Sequence, residues 1–386
     1  MKVLHVIPSL APCHGGPSVV LPIMERALTA EGITVETLTT DDDGPGLKNG
    51  KGDGTAREEN GVIRRYFPKQ TEFYKVSLPL ARWTKREVRR FDVVHIHALF
   101  SHTSNSAANA ARRAGVPYVI RPLGVLTQYG ITQRRALLKR FSLRWLEEPI
   151  LRHAAAVHFT HDAEREEAEQ LGISFHPVVI PLGLEAFALP PADPQASPYL
   201  LYLSRVDPKK NIECLLDAWA SVRGQRSGDR GSWKLVIAGS GEESYLKSLR
   251  ERAHALGIEV SVEWVGQVAG ERKAGLLANA TIFTLPSYSE NFGIAAAEAL
   301  MAGKPCVFTP GVAVGAQAAA HGAAVLAQVN VASLANELGG LMDNAGRREK
   351  LSVEARRFAA AKLSAEVMGH RLKALYQELC GYTAAP

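Results

Sequence analysis

The sequence predicts an α/β protein made of two doubly wound domains, each with a parallel sheet. Two series of alternating strands and helices, each of roughly 190 residues, support this prediction. A Pro-rich segment without periodicity, residues 190–198, separates the series and is typical of a linker. We therefore expect an N-terminal domain at residues 1–190 and a C-terminal domain at residues 191–363.

The first series begins with a strand directly after Met1. The predicted strands cover residues 3–10, 35–40, 62–66, 93–97, 118–121, 155–160 and 178–180. The predicted helices cover residues 17–30, 76–90, 103–114, 134–153 and 162–171. Asp162 is the expected N-cap of the last of these helices, and the Gly- and Asp-rich residues 41–60 are expected to form a long loop.

The second series follows the Pro-rich segment. Its predicted strands cover residues 199–204, 234–238, 263–265, 281–285, 306–309 and 323–327. Its predicted helices cover residues 212–222, 242–255, 271–278, 292–302, 331–344 and 347–361, and a final helix covers residues 365–379. Parallel sheets bind ligands at the carboxyl ends of their strands, so we expect the active site in a cleft between two facing domains.

The composition is that of a globular protein without a membrane-spanning segment. The 386 residues have a net charge of +6 and are 46% hydrophobic, which is ample for two cores. No apolar run approaches the roughly 18 residues of a membrane span, and the start of the chain reads as a strand and not as a signal peptide. The four cysteines form no metal or redox motif, so a cytoplasmic location is expected.

Positive charge is concentrated in residues 69–152, which contain sixteen Lys or Arg against five Asp or Glu. Nucleic acid, an anionic membrane surface and a solvated basic face are three interpretations of this excess. The predicted helix 134–153 combines six cations with an apolar stripe that includes Leu138, Phe141, Trp145 and Leu146. This helix fits either packing on its own sheet or peripheral contact with anionic lipid.

One stretch, residues 281–303, combines a buried strand, a turn and an Ala-rich helix. Helix propensity is high from Phe292, so Glu290 falls in the loop and Glu298 about two turns into the helix. The N–H groups and the dipole at the start of the helix favour an anion. Carboxylates for hydroxyl groups beside an anion site fit a sugar phosphate or a nucleotide sugar.

The two carboxylates belong to the pattern Pro-Ser-x-x-Glu-Asn-Phe-Gly, followed by Glu-Ala-Leu-x-Ala-Gly-Lys-Pro. This pattern resembles the signature of the retaining glycosyltransferases of family 4, which have the two-domain GT-B fold. In that fold the last helix crosses back onto the N-terminal domain, so we expect residues 364–386 to do the same. The resemblance implies that Glu298 binds the ribose hydroxyls of a nucleoside diphosphate sugar. It also implies that Glu290 and the amides of Asn291, Phe292 and Gly293 hold the transferred sugar.

Cations and glycines follow two other strands of the second series. Arg205 and Lys210 lie on either side of a turn, where they can neutralise a diphosphate leaving group. They resemble the Arg-x4-Lys element of family 4, which contacts the donor phosphates. Gly239 and Gly241 resemble the family's glycines near the nucleotide base. Which base is bound cannot be read from these residues, so UDP, GDP and ADP sugars are all candidates.

The first series also contains candidate site residues. Gly15 and Gly16 precede a helix, where glycine lets the backbone approach an anion, and they resemble the glycine loop of family 4. They do not form the G-x-G-x-x-G fingerprint of NAD enzymes. His97 resembles the histidine that points at the transferred sugar, and His102 is a second candidate. Arg121 ends the next strand and is a candidate for binding an anionic acceptor such as a lipid diphosphate.

The resemblance as a whole implies an enzyme that moves a hexose to a hydroxyl acceptor, a glycan or a lipid-linked sugar, with Glu290, Arg205, Lys210 and His97 in catalytic roles. The sequence is similar to enzymes of bacterial exopolysaccharide or O-antigen synthesis. Asp41-Asp42-Asp43 contains a formal Asp-x-Asp but is expected in the Gly-rich loop, and no such motif is expected at a strand end. GT-B enzymes generally need no divalent metal or other cofactor. Another GT-B activity, such as a nucleotide-sugar 2-epimerase or a phosphorylase, is the first alternative. A basic nucleic-acid-binding protein is the second, and it leaves the two glutamates unexplained.

Overall fold

The computed structural model describes residues 1–126, 141–193, 195–224 and 232–381. The chain divides into two compact units. Unit 1 contains Met1–Gly183 together with Ala365–Pro386, and unit 2 contains Leu184–Ser364. The division falls ahead of the Pro-rich segment, whose Asp193 N–H donates to Asn279 Oδ1 within unit 2 at 2.7 Å. Each unit is a sheet of mainly parallel strands flanked by helices, which confirms the predicted α/β fold class.

Unit 1 is built on a sheet with the order β3-β4-β2-β1-β5-β6-β7-β8, in which β3 is antiparallel to β4 and the other pairs are parallel. The strands are β1 (Lys2–Val6), β2 (Thr34–Thr40), β3 (Ala56–Glu59), β4 (Val62–Phe67), β5 (Val93–His97), β6 (Tyr118–Arg121), β7 (Ala156–Phe159) and β8 (Pro177–Val179). The central strands are buried along their whole length, as expected for parallel strands covered on both faces.

The helices of unit 1 cover this sheet. They are α1 (Gly16–Ala30), α2 (Leu78–Glu87), α3 (His102–Ala114), α4 (Glu148–Arg152), α5 (Asp162–Glu169) and, from the end of the chain, α13 (Ala365–Leu379). Helix α13 packs closely on α1 at Gly369. A Cβ at this position would lie 2.9 Å from the carbonyl oxygen of Ala27, so the absence of a side chain permits the contact. The hydroxyl of Tyr376 on α13 lies 2.7 Å from Nδ1 of His95, which ties the helix to the middle of the sheet.

Two local predictions for unit 1 are wrong. Residues 56–59 form the strand β3 and not the end of a long loop, because their backbone pairs with β4 in a hairpin. The N-cap of α5 is His161 and not Asp162, since Nδ1 of His161 accepts the N–H of Glu164 at 3.0 Å. The predicted helix 134–153 is confirmed in its described part, residues 141–152, where a π-helical turn at Leu143–Glu147 precedes α4. Residues 127–140 lie outside the described ranges.

Unit 2 has an all-parallel sheet with the order β11-β10-β9-β12-β13-β14. The strands are β9 (Tyr199–Leu203), β10 (Lys234–Ala238), β11 (Val262–Gly266), β12 (Ile282–Leu285), β13 (Cys306–Phe308) and β14 (Val325–Leu326). The helices are α6 (Ile212–Gly224), α7 (Glu243–Ala255), α8 (Gly270–Asn279), α9 (Ile294–Met301), α10 (Ala313–Ala320), α11 (Val331–Asp343) and α12 (Ala345–Lys362). The sequence analysis missed α10. Since β9, β12 and β13 are neighbours, the loops after them meet at one edge of the sheet.

Candidate active site

The loops that follow β9, β12 and β13 are joined by hydrogen bonds in unit 2. Asn211 Nδ2 donates to the carbonyl of Pro286 at 3.3 Å, and the N–H of Tyr288 donates to the carbonyl of Lys209 at 3.0 Å. Thr309 Oγ1 donates to the carbonyl of Ser287 at 2.5 Å. The bond from Tyr288 to Lys209 joins residues 288 − 209 = 79 positions apart, so the three loops meet at the sheet edge where ligands bind.

Glu290 lies at the meeting point of these loops. Its N–H donates to the carbonyl of Gly311 at 2.7 Å, which fixes the backbone. Its Oε1 accepts a hydrogen bond from Ser287 Oγ at 2.8 Å and forms an ion pair with the ammonium of Lys210. Both charged side chains are mostly buried, with 12% and 9% of their side-chain surfaces exposed. The structure therefore brings the predicted residues Glu290 and Lys210 into direct contact.

Lys210 owes its position to a short turn. Asp207 caps the 3-10 turn Pro208–Lys210 by accepting the N–H of Lys209 at 2.9 Å, and Asn211 adopts the left-handed conformation that starts α6. Arg205, on the other side of the turn, is exposed, and its carbonyl accepts the hydroxyl of Tyr202 at 2.8 Å. The turn thus presents one solvated guanidinium and one buried ammonium after the same strand.

Glu298 lies in α9 as predicted, but nearer the start of the helix than expected. Since α9 begins at Ile294, Glu298 is its fifth residue, just over one turn inside. Its Oε1 pairs with Nζ of Lys273 on α8 at 2.6 Å. The sequence analysis missed Lys273, because an ordinary lysine 25 positions away carries no motif that points to Glu298.

The start of α9 lies between the two glutamates. Gly293 is its N-cap with φ +88°, a conformation that favours glycine, and it supplies no side-chain acceptor to the first turn. The first turn contains no acidic residue. The first N–H groups of any helix lack acceptors within the helix and carry its positive dipole, so this end of α9 is suited to an anion or to an oxygen-rich ligand.

Gly239 and Gly241 allow the loop after β10 to lie directly against the loop after β9. A Cβ on Gly239 would lie 1.8 Å from the carbonyl oxygen of Ser204, and a Cβ on Gly241 would lie 2.1 Å from that of Val206. The N–H of Val206 donates to the carbonyl of Ser240 at 2.8 Å in this contact. The two glycines therefore position the segment that carries Arg205, whatever part they have in donor binding.

In unit 1, the candidate glycines follow the 3-10 turn Pro12–His14 after β1. Gly15 is exposed with φ +73°, and Gly16 is the first residue of α1. His14 Nε2 lies 2.8 Å from Oδ2 of Asp42, which anchors the turn. Lys69, Lys75 and His14 all bind the Asp42 carboxylate and hold its pKa well below the usual range. The formal Asp-x-Asp at residues 41–43 directly follows β2 and so lies at a strand end, contrary to the expectation from the sequence, but its Asp42 carboxylate is engaged by protein cations.

His97 ends β5 and is fully buried in a cluster with His5, His95 and His158. Its Nε2 lies 2.8 Å from Nδ1 of His5, while its own Nδ1 and Nε2 of His5 have no partner within the described ranges. Either tautomer therefore leaves one ring N–H without an acceptor. Burial, with the neighbouring His95 and Arg121 adding to it, holds the pKa of His97 well below 6.5, so the ring is neutral near pH 7.

Arg121 ends β6 next to this cluster and is 1% exposed. Its Nε and Nη1 have no hydrogen-bond partner in the part of the chain that the structure describes. Burial lowers the pKa of its guanidinium to about 10, which leaves it charged near pH 7. The sequence analysis predicted that His97 faces the sugar and that Arg121 binds an acceptor. In unit 1 both side chains are interior, so these roles stay predictions.

Three other features lie near the ends of β5 and β6: His102, a loop with positive φ values, and a group of histidine ring nitrogens. His102 is half-buried at the start of α3, and its Nδ1 accepts the N–H of Ser77 at 3.4 Å, which holds the start of α2. Ala98 and Phe100, in the loop after β5, have positive φ values of 92° and 56°, a strain that clusters at functional sites. Ring nitrogens of His5, His95 and His97 lie within 4.8 Å of one another, but the buried positive charge of Arg121 beside them opposes a cation, and we assign no metal there.

Two family profiles divide the chain where its units divide. Residues 15–183 match the glycosyl transferase 4-like domain, and residues 184–358 match glycosyl transferases group 1. The chain belongs to the group 1 glycosyltransferases. No helix in the described ranges combines the length and the apolar character needed to cross a membrane.

Three curated relatives are similar to this chain over different fractions of their length. D-inositol 3-phosphate glycosyltransferase of Jonesia denitrificans is 26% identical over 80% of this chain and 78% of its own length. GDP-mannose:cellobiosyl-diphosphopolyprenol alpha-mannosyltransferase of Komagataeibacter xylinus is 33% identical over 27% of this chain and 25% of its own length. An uncharacterized glycosyltransferase of Methanocaldococcus jannaschii is 37% identical over 28% of this chain, and the match spans about a quarter, 26%, of that protein.

Solved structures show the fold. HepE of Anabaena, solved in complex with UDP, aligns with a TM-score of 0.76 at 19% identity, over 98% of this chain and 100% of HepE. Sucrose-phosphate synthase of Thermosynechococcus elongatus aligns with a TM-score of 0.75 at 18% identity, over 99% of this chain and 100% of that protein. The two α/β units of this chain have the GT-B fold.

Proposed function

We propose that this glycosyltransferase transfers a hexose from a nucleoside diphosphate sugar to a hydroxyl acceptor with retention of the anomeric configuration. The observation that carries the proposal is the group formed by Glu290, Lys210 and the start of α9, with Glu298 one turn further along the helix. The two carboxylates can accept hydrogen bonds from sugar hydroxyls. The N–H groups at the start of α9 and the ammonium of Lys210 can bind phosphate oxygens, so together these groups suit a nucleotide sugar.

Each site residue of unit 2 has a distinct role in the proposed reaction. Glu298 accepts hydrogen bonds from the ribose hydroxyls, and the ion pair with Lys273 holds its carboxylate in place. Glu290 holds the hydroxyls of the transferred sugar, together with the amides of residues 291–293. Arg205 and Lys210 stabilise the diphosphate as it leaves, since the negative charge they meet grows while the bond to the sugar breaks.

The bond changes of the proposed reaction balance without a cofactor. The bond between the anomeric carbon and the phosphate oxygen breaks, and the acceptor oxygen bonds to that carbon on the same face. The acceptor proton passes to the departing diphosphate oxygen, so no protein nucleophile is required. The cations and the helix dipole do the work that a metal does in other transferases, and we propose that no divalent metal is needed.

The donor base and the acceptor are proposed only as classes. UDP, GDP and ADP sugars are candidates, and the UDP complex of HepE and the GDP-mannose enzyme of K. xylinus support a nucleotide-sugar donor. The diphosphopolyprenol acceptor of that enzyme also supports a glycan or lipid-linked acceptor in bacterial exopolysaccharide or lipopolysaccharide synthesis. We propose a cytoplasmic enzyme, and we do not propose nucleic acid as a partner.

A ligand screen tests the donor first. We expect one of UDP, GDP and ADP to raise the melting temperature, because a ligand at 100 times its dissociation constant adds about 2.7 kcal/mol of stability. Glu298→Gln should reduce this shift for the nucleotide. The control Glu354→Gln changes a partly exposed carboxylate that pairs with Arg357 on α12, and it should leave the shift unchanged. Equal shifts in both variants would contradict the ribose role of Glu298.

Product analysis then tests the reaction. Incubation of the stabilising donor with a panel of soluble and lipid-linked acceptors should give a product whose anomeric proton coupling, measured by NMR, matches that of the donor. An inverted product would refute the retaining mechanism. Conversion of the donor to an epimeric sugar without any acceptor would identify a 2-epimerase instead.

A further inference from the structure

Glu147 is a buried carboxylate of unit 1 that has no part in the reaction proposed above. It is the last residue of the π-helical turn Leu143–Glu147, and none of its surface is exposed. π-Helical turns are rare and often occur at functional sites. Its Oε2 has no hydrogen-bond partner within the described ranges. A buried carboxylate with an unpartnered oxygen destabilises the fold, so stability does not explain its presence.

The other oxygen of this carboxylate is bonded to a strained turn ahead of α2. Oε1 accepts hydrogen bonds from the hydroxyl of Tyr74 and, at 3.3 Å, from the hydroxyl of Ser142. Tyr74 and Lys75 belong to the 3-10 turn Phe73–Lys75 and have φ values of 60° and 45°. Residues other than glycine keep such values only where the surrounding structure enforces them. The bond from Tyr74 to Glu147 is one of the contacts that enforce this turn.

The same carboxylate supports the loop between β5 and α3, residues 98–101, which we call the β5–α3 loop. The backbone N–H of Phe100 in this loop faces the carboxylate and lowers its pKa. Ala98 and Phe100 have positive φ values of 92° and 56°, so the β5–α3 loop is strained as well. The π-helical turn, the turn ahead of α2 and the β5–α3 loop therefore meet at Glu147.

The β5–α3 loop borders the place where the sheet of unit 1 favours a ligand. In the order β2-β1-β5-β6, the chain goes from β1 to β2 on one side and later returns to β5 on the other side of β1. Parallel α/β sheets bind ligands beyond the carboxyl ends of their strands at such a switch point. The β5–α3 loop follows one of these two strands, and Gly15 and Gly16 follow the other. The shape of the loop therefore affects what unit 1 can bind.

The groups around Glu147 require its ionised form. An ionised carboxylate only accepts hydrogen bonds and can serve Tyr74, Ser142 and the N–H of Phe100 together. A protonated carboxyl must donate its own O–H and loses part of this capacity. Burial raises the pKa of Glu147 to about 7, although these three groups act to lower it. The number of groups that the carboxyl can hold therefore changes near neutral pH.

Tyr74 is the titratable side chain in direct contact with Glu147. Burial and the charge of Glu147 hold the pKa of its phenol well above 10, so Tyr74 stays protonated. The other charged side chains on the surrounding elements have partners of their own within the described ranges: Arg144 and Arg152 pair with Glu148, Lys75 pairs with Asp42 and Glu72, and His102 accepts the N–H of Ser77. Glu147 therefore titrates as a single buried group and not as half of an ion pair.

We propose that Glu147 is a positioning residue for the acceptor: its carboxylate holds the β5–α3 loop in the shape that binds the acceptor, and protonation releases the loop. Glu147 itself touches neither donor nor acceptor. This role rests on the proposed function, because it places the acceptor of that reaction at unit 1. Donor binding by unit 2 does not depend on it.

The pH dependence of transfer tests the charge of Glu147. With the donor and acceptor that give product, the kcat/KM of the wild type for the acceptor should rise about ten-fold from pH 6 to pH 8, because a carboxyl with a pKa of about 7 goes from about one-tenth to about nine-tenths ionised. Glu147→Gln should lower this kcat/KM about ten-fold at pH 8 and should remove the inflection, while the KM for the donor stays unchanged. Tyr74→Phe removes a group that lowers the pKa of Glu147, so it should move the inflection to higher pH.

A matched control and a measurement without substrates complete the test. Glu25 is a fully buried carboxylate of unit 1 that pairs with Arg64, so Glu25→Gln should lower the melting temperature but keep the inflection near pH 7. Hydrogen exchange of the backbone amides at residues 98–101 reports on the loop directly. Corrected for intrinsic rates, exchange in the wild type should be about ten-fold faster at pH 6 than at pH 8. In Glu147→Gln it should be fast at both pH values.

Two results overturn the proposal. One is a Glu147→Gln variant with the wild-type kcat/KM for the acceptor and the wild-type inflection. The other is equal exchange at residues 98–101 in the wild type and in Glu147→Gln at both pH values. If Glu147→Gln does not fold, an inflection that stays in place in Tyr74→Phe refutes the role. The melting-temperature shift with nucleotide reports on unit 2 separately, so its absence in the wild type contradicts the proposed function and not the role of Glu147.

Discussion

Replacement of Gly239 by Ala tests how the unit 2 site is built. The added Cβ would lie 1.8 Å from the carbonyl oxygen of Ser204, and side-chain carbons in proteins essentially never approach an atom closer than 3.0 Å. The backbone next to Arg205 must therefore move by at least the difference, 3.0 − 1.8 = 1.2 Å. The φ of +156° at Gly239 adds strain for any other residue.

A shift of about 1 Å in a catalytic group lowers activity roughly 100-fold, and we expect a loss of that order in kcat/KM for Gly239→Ala. The matched control is Gly275→Ala on α8, where no atom lies within 4 Å of the new Cβ. In a helix this change should leave activity intact and stabilise the protein by up to about 1 kcal/mol.

The assay is steady-state transfer with the donor identified by the ligand screen, together with thermal unfolding of each variant. We expect Gly239→Ala to unfold at a lower temperature and to react slowly even where it is fully folded. Wild-type kinetics in Gly239→Ala would refute the argument that this glycine positions Arg205. An equal loss in Gly275→Ala would show that any added methyl group in unit 2 disturbs the site.

Three further predictions concern charge and pH. Lys210→Met should lower kcat on the order of 100-fold with a smaller change in the donor KM, because the ammonium meets charge that develops in the transition state; steady-state kinetics with unchanged kcat would contradict this role. EDTA should leave activity largely intact, and activity that is lost with EDTA and restored by Mg²⁺ or Mn²⁺ would reveal a metal requirement. Burial lowers the pKa of both His5 and His158 to about 3, so the stability of unit 1 is full above pH 6.5 and falls as pH falls toward 3. By linkage each of these histidines should remove about 2 kcal/mol of unfolding free energy near pH 5, and NMR titration of either ring near pH 6.5 would disprove the shift.

The sequence alone predicted the two sheets and the loop–helix pattern of the site. Buried parallel strands are continuous apolar runs, and helices have a period of 3.6, so both can be recognised from neighbouring residues. The long pattern around Glu290 and Glu298 identified the family because it specifies many positions at once. The errors were local: β3 lies in a polar Gly-rich segment, and its strand character comes from pairing with β4.

Only the tertiary structure decided which side chains meet. Lys210 and Glu290 are 80 positions apart, and they touch because β9 and β12 are neighbours in the sheet, an order that hydrophobic periodicity does not specify. The pairing of Lys273 with Glu298 depends on where the fold places α8 and α9. Periodicity reports on residues a few positions apart, whereas contacts between distant residues depend on strand order and packing, which the folded chain alone establishes.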